Sequence, residues 1–473
     1  MDAGAAAAAA TAAPMDSVAR LERRWETAAG DGDGERGERE AAVKKQRADD
    51  GWEDGRQPWD YRGKVVLAPM VRVGTLPTRM LARGYGADMV YSEEIIDHKL
   101  MRCERHVDEL PPPSAEDDAV IPEAWVRPRQ VVRYSDKVKE NGALHSKKTM
   151  PPRNVFITYT DEPVCLQLGT GNAVTALKAA EVVANDVKAI DINMGCPLNF
   201  SIKGGMGSSL LSKPETVHDI VATLKRNLPS HVAVTCKIRL LSDEAELLEL
   251  GRRIEAAGAD AVAVHARFVP DRSNAVAARW ALARPLCDSL TIPCLANGDI
   301  FLPEDAAKIY AMTGCDGVMV GRGAMWNPSI FRGAGIHLRH AQSQAAAGSS
   351  SAPPPAGADD VVPLYDVARA YVGLSSWSHN FFQNTKYCLL EMLKGHSRIT
   401  TCPHYQQYFI RANGTSWAHR EAACNSVNEA IDNQLPVLRE GLDMLASGDG
   451  PSHKALCEKY RLPKRPQGQG GNG

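Results

Sequence analysis

Eight short apolar runs recur between residues 65 and 320, and segments with helical periodicity separate them. The runs are Val65 to Ala68, Met89 to Tyr91, Val164 to Leu166, Ala189 to Ile192, Ala233 to Ile238, Ala261 to Val264, Pro293 to Ala296 and Gly317 to Val320. Strands that are apolar on both faces belong in a parallel sheet covered by helices. Eight alternating units predict an α/β fold, a (β/α)8 TIM barrel. Residues Ala245 to Gly258 illustrate a covering helix. Leu247, Leu248, Leu250 and Ile254 recur at helical spacing, and Gly258 ends the pattern.

Composition shifts divide the rest of the 473-residue chain. Residues 1–60 are rich first in Ala and then in Gly, Asp, Glu and Arg, which reads as a disordered low-complexity tail. The barrel is assigned to 61–340. It is interrupted at 104–154 by a charged, Pro-containing insertion without clear period. Residues 341–362 read as a flexible Ala/Ser/Pro-rich linker. Helical periodicity returns in Tyr365 to Leu374, Tyr387 to Leu393 and Glu421 to Leu445, so 363–450 is read as a small all-helical domain. A basic, Gly-rich tail occupies 451–473.

The formal net charge is -2, which alone does not favour a nucleic-acid partner. Residues 361–473 nevertheless carry twelve Lys/Arg against nine Asp/Glu, a local basic excess. None of the eleven cysteines forms a C-x-x-C pair, so neither a zinc site nor a disulfide framework is indicated. No run approaches the roughly 18 apolar residues of a membrane span. These features read as a cytoplasmic protein with reduced thiols, the nucleus remaining open as a second compartment.

In a (β/α)8 barrel the active site is built where the strands end. Here the strand ends carry an unusual set of residues: Pro69 and Met70, then Gln167, then Asn193 and Cys196. Lys237 and Arg239 follow, then His265, then Asn297, Gly298 and Asp299, then Gly321 and Arg322. The glycines of the last two loops allow backbone N–H groups to approach an anion closely, which suits a phosphate. Lys237 lies within an apolar strand and needs a carboxylate or an anionic ligand as partner. Gln167 both donates and accepts, as the edge of a uracil-like ring requires. Cys196 is either a small buried hydrophobe or a general acid, a role that a thiol with a pKa near 8.5 fills without activation.

With Asp191-Ile-Asn-Met-Gly-Cys-Pro197, Cys236-Lys-Ile-Arg239, Ala296-Asn-Gly-Asp299 and Lys203 before its glycine-rich stretch, the chain resembles the tRNA-dihydrouridine synthases. The segments Met70 to Pro77, Tyr91 to Asp97 and Asn384 to Leu389 look most like the eukaryotic type that acts at position 20. The resemblance implies FMN held by Pro69, Met70, Val71, Gln167, Lys237, His265, Asn297, Gly298, Asp299, Gly321 and Arg322. It implies NADPH or NADH as electron donor. Hydride from the flavin would reach C6 of a D-loop uridine while Cys196 protonates C5. Asn193 and Lys203 would face that uridine, and the helical domain would grip the tRNA. No metal and no membrane are implied, and a monomer is expected. The insertion and the linker are longer than the family pattern. Two other readings share the barrel: an FMN-dependent reductase of a free pyrimidine, and an RNA-binding homologue without the chemistry.

Overall fold

The computed structural model describes residues 58–394, except 114–120, 123–124, 126–129, 137–153, 272–275, 349–352 and 359. The sequence readings for residues 1–57, for the helical pattern of Glu421 to Leu445 and for the basic tail fall outside the described residues.

Eight parallel strands close into a barrel. They are β1 (Val65–Leu67), β2 (Met89–Tyr91), β7 (Val164–Gly169), β8 (Ala189–Asn193), β9 (Ala233–Leu240), β10 (Ala261–Phe268), β11 (Cys294–Asn297) and β12 (Gly317–Val320). Val65 lies beside Val318 at one seam, and Tyr91 beside Cys165 at the other, so the sheet has no free edge there. The short strand β3 (Ile95–Ile96) adds to the upper end of β7. Helices on the outside complete the βα units predicted from the apolar runs. The helix Glu244–Ala256 buries Leu247, Leu250 and Ile254, and Asp243 caps its first turn by accepting from Ala245 N and Glu246 N.

Inside the barrel, side chains alternate along each strand. Ala189, Ala233, Ala261 and Ala263 are small, and Tyr61, Tyr91, Met89, Leu295 and Met319 fill the space they leave. The lower barrel is therefore packed solid. The next inward positions upward are polar: Asp191, Thr235 and Gln167, then Asn193, Lys237, His265 and Asn297. Polarity thus rises toward the strand ends, where the chain leaves the sheet.

The 104–154 segment differs from its sequence reading. Three strands, β4 (Cys103–Glu109), β5 (Gln130–Asp136) and β6 (Asn154–Tyr159), form an antiparallel meander. Val131, Tyr159 and Ile121 from this region share a second core with the helices Leu364–Trp377 and Phe382–Lys394. The helix Phe331–Ala346 runs into the stretch read as a linker, and Ala358 is buried. Chain that composition marks as loose is held here by burial of a few apolar side chains.

The second core braces the loop that follows β1. Arg79 is fully buried and pairs with Glu162 at 2.9 Å, while its Nη1 donates to the Gly74 carbonyl at 2.7 Å. Asn384 Nδ2 donates to the Arg72 carbonyl at 2.6 Å. The loop between β1 and the helix Leu76–Gly84 is therefore clamped from two sides. No helix among the described residues is long and apolar enough to cross a membrane.

Candidate active site

A cavity of about 450 Å³ opens at the C-terminal ends of the strands. Twelve of the fourteen site residues expected from sequence line it: Pro69, Met70, Gln167, Asn193, Cys196, Lys237, His265, Asn297, Gly298, Asp299, Gly321 and Arg322. Val71 and Lys203 are not brought to it. Both side chains are exposed beyond its rim.

A chain of hydrogen bonds runs up one wall. Asp191 is fully buried and accepts from Thr235 Oγ1 at 2.6 Å and from Gln167 Nε2 at 2.8 Å. Burial pushes its carboxyl up to about 6 against those two bonds. Gln167 Oε1 accepts from Asn193 Nδ2 at 3.1 Å, and Asn193 Oδ1 accepts from the N–H groups of Gly195 and Cys196 at 3.0 Å each. Because Asp191 can only accept, it fixes which end of the Gln167 amide faces it, and hence that of Asn193. Arg239 Nε donates to the Gly195 carbonyl at 2.8 Å, holding the same loop from β9.

Cys196 is half-buried, whereas Cys165, Cys236, Cys287, Cys294 and Cys315 are buried, as expected for cysteines acting as small core residues. Burial raises the Cys196 thiol above its ordinary value, so it stays protonated at neutral pH. The glycine cluster that follows closes over this loop. Gly207 has φ +59, and its Ser208 neighbour donates its N–H to the Cys196 carbonyl at 3.0 Å. A Cβ on Gly207 would stand 2.7 Å from that carbonyl oxygen.

The cavity is also lined by cationic side chains. Lys237, Arg239, Arg267 and Arg322 line the cavity against the two carboxylates Asp271 and Asp299. Both Asp299 carboxylate oxygens accept from Arg267 Nη2, at 2.7 and 2.6 Å, and Oδ1 accepts from Arg322 Nη2 as well. It is therefore a shared anchor for two guanidiniums. His265 Nε2 lies 3.1 Å from Arg267 Nη1, and arginine only donates. Burial and the surrounding cations hold its pKa well below the usual range, so the ring is neutral with its proton on Nδ1. Burial and then Arg239 push Lys237 down to about 8, with Asp191 opposing. Gly298, at φ +126, turns the β11 loop against His265, and a Cβ there would come within 3.2 Å of the imidazole.

Two strands extend beyond their apolar runs, and Arg267 is a lining residue not named from the sequence. β10 continues to Phe268 and β9 to Leu240, so Arg267 and Arg239 are the next inward positions after His265 and Lys237. The two-residue period was the available signal. Asp191 and Glu94 stand within the segments Asp191 to Pro197 and Tyr91 to Asp97 that carry the resemblance, without a role of their own. Among the described residues, no group of His, Cys, Asp and Glu could hold a metal ion.

The fold and this site define a (β/α)8 barrel with a cationic cluster and a neutral thiol at the strand ends. The family model described as Dihydrouridine synthase (Dus) matches residues 66–439, and the chain belongs to that family. The chain is 32% identical over 349 residues to the tRNA-dihydrouridine(20) synthase [NAD(P)+] of Schizosaccharomyces pombe, covering 72% of this chain and 61% of that protein. It is 32% identical over 363 residues to the Saccharomyces cerevisiae protein of the same name, covering 74% and 81%. A mouse tRNA-dihydrouridine(20a/20b) synthase [NAD(P)+]-like protein is 31% identical, over 57% of this chain and 69% of its own. The chain thus spans about three-fifths of the fission-yeast relative's length.

Proposed function

We propose that this protein reduces a D-loop uridine of tRNA, at position 20, to 5,6-dihydrouridine. The observation that carries the reading is the protonated Cys196 thiol, held by Asn193 and Arg239 at the edge of a cavity lined by cationic side chains. The names of the yeast relatives support the substrate, the position and the nicotinamide donor.

The cavity fits FMN. Four cationic side chains against two carboxylates favour an anionic occupant. His265 Nδ1–H, Arg267 and Arg322 would hold that phosphate, with Asn297 and Gly321 beside them. Lys237 would face the ring that gains negative charge, and Gln167 its polar edge. Met70 and Pro69, clamped by the second core, would form the ring's apolar support. When bound and reduced by NADPH or NADH, the flavin supplies hydride to C6 of the uracil.

The chain's own residues do the rest. Cys196 donates its proton to C5 and becomes a thiolate. A thiol with a raised pKa suits this duty, because it arrives protonated and needs no neighbouring base. Asn193 keeps the thiol in register and offers its remaining polar capacity to the base. The uridine must leave the RNA stack to enter the cavity. Lys203 and Val71, exposed at the rim, would then meet the RNA outside.

The test is a tRNA transcript lacking modifications, incubated with the flavin-loaded protein and NADPH. The reading predicts dihydrouridine in the nucleoside digest. A flavin-loaded protein that leaves every uridine intact contradicts it.

A further inference from the structure

The Cys196 thiol has a second neighbour besides the cavity. Glu94, in the turn between β2 and β3, stands near enough to interact with it, and the Ser201 hydroxyl packs beside the Cys196 Cβ at Gly207. Glu94 Oε1 and Ser201 Oγ are both fully buried, and neither has a hydrogen-bond partner among the described residues. A buried polar oxygen without a partner is costly, and the neighbouring thiol is the group placed to relieve both. Glu94 Oε1 is pressed against Gly169, where a Cβ would come within 2.8 Å of it. The carboxyl therefore has little room to turn away. Glu94 does not line the cavity, and as a residue it is only half-buried. One carboxyl end faces the thiol while the side chain remains within reach of water.

We infer that Glu94 is a positioning residue that reloads Cys196 with a proton after each turnover, by a path separate from the cavity mouth. The inference rests on the proposed uridine reduction. In that reaction the Cys196 S–H bond breaks as the C5–H bond of the product forms, and a thiolate remains. The Glu94 O–H bond then breaks as the S–H bond reforms. The Glu94 carboxylate takes its next proton from water, which accounts for the one proton consumed with each hydride. Burial raises the pKa of Glu94, which favours the protonated form this step requires. Ser201 donates to the thiolate while it waits. A route beside β3 matters because bound tRNA would cover the cavity mouth during the very step that leaves the thiolate behind.

The experiment compares wild type, Glu94→Gln and Glu94→Asp, each flavin-loaded, with tRNA and NADPH under rapid quench. Glu94→Gln keeps the size and a hydrogen bond but carries no acidic proton. Its first dihydrouridine per enzyme should form at the wild-type rate, and later turnovers should be at least about tenfold slower. After that first turnover, iodoacetamide should label Cys196 quickly in Glu94→Gln and slowly in wild type, read by peptide mass spectrometry. Glu94→Asp keeps an acid and should give an intermediate later rate, and it decides the matter if Glu94→Gln fails to hold flavin. Later turnovers and labelling at wild-type rates, or slowing already in the first turnover, overturn the relay. A fully active Cys196→Ala overturns the functional reading instead, so the two failures are distinguishable.

Discussion

The side-chain carbonyl of Asn193 accepts the Cys196 backbone N–H at 3.0 Å, so the last residue of β8 fixes where the thiol three places later stands. Asn193 is fixed in turn by Gln167, and Gln167 by the buried carboxyl of Asp191. Asn193→Ala should leave the flavin content unchanged and lower kcat about 5- to 30-fold, the equivalent of one or two net hydrogen bonds. Asn193→Asp, which keeps the acceptor for the loop but loses the donor to Gln167, should fall between. Equal kcat for wild type and Asn193→Ala in steady-state dihydrouridine formation would remove the asparagine from the account.

Lys237 gives a pH dependence with a definite sign. Its pKa is pushed down to about 8, so it is charged below that pH and loses its charge above it. An anionic ligand favours the charged form and raises the pKa when it binds. The affinity of flavin-free protein for FMN should therefore be flat below about pH 8 and fall about tenfold between about pH 8 and about pH 9.5. Lys237→Met should bind more weakly throughout and show no such fall. Fluorescence titration of FMN across this range reads both.

Asp299 is the shared anchor of Arg267 and Arg322, and the Arg267 side chain is almost fully buried. Asp299→Asn leaves two cations side by side without their carboxylate. The flavin-free variant should lose about 3–5 kcal/mol of unfolding free energy, as expected for breaking a buried pair. Denaturant melts measure this, and a loss under about 1 kcal/mol would mean that solvent already screens the pair.

Gly207 stands at φ +59 with the Cys196 carbonyl where a Cβ would point. Gly207→Ala should displace the thiol loop while leaving the cationic cluster intact. Flavin content should be retained and dihydrouridine formation reduced by at least about tenfold, matching 1–3 kcal/mol of local strain. Loss of flavin together with activity would show that the loop and the cluster are not independent.

The parts of this site that were legible in the sequence are those where an apolar run ends abruptly in a polar residue. Gln167, Asn193, Lys237, His265 and Asn297 all stand at such junctions, and the barrel brings them to one cavity. Arg267 was missed because its strand continues past the first polar residue, so the end of apolar character is not the end of the strand. Glu94 gave no signal of its own. It follows a three-residue strand, in a polar turn whose burial depends on contacts with β7 and the Cys196 loop. The meander β4–β6 was hidden for a different reason. β4 presents mostly exposed, charged positions and buries little beyond Cys103, so its strand is made by pairing with β5 rather than by an apolar pattern. Asp299, expected to touch the ligand, lines the cavity, and its oxygens also accept from two arginines and the Ala278 N–H.

The most direct measurement is mass spectrometry of a defined tRNA, isolated without dihydrouridine and incubated with NADPH and either wild-type protein or Cys196→Ala. The account predicts dihydrouridine at position 20 with wild type, and none with Cys196→Ala that still holds flavin. Equal product from the two proteins, or no product from flavin-loaded wild type, contradicts it.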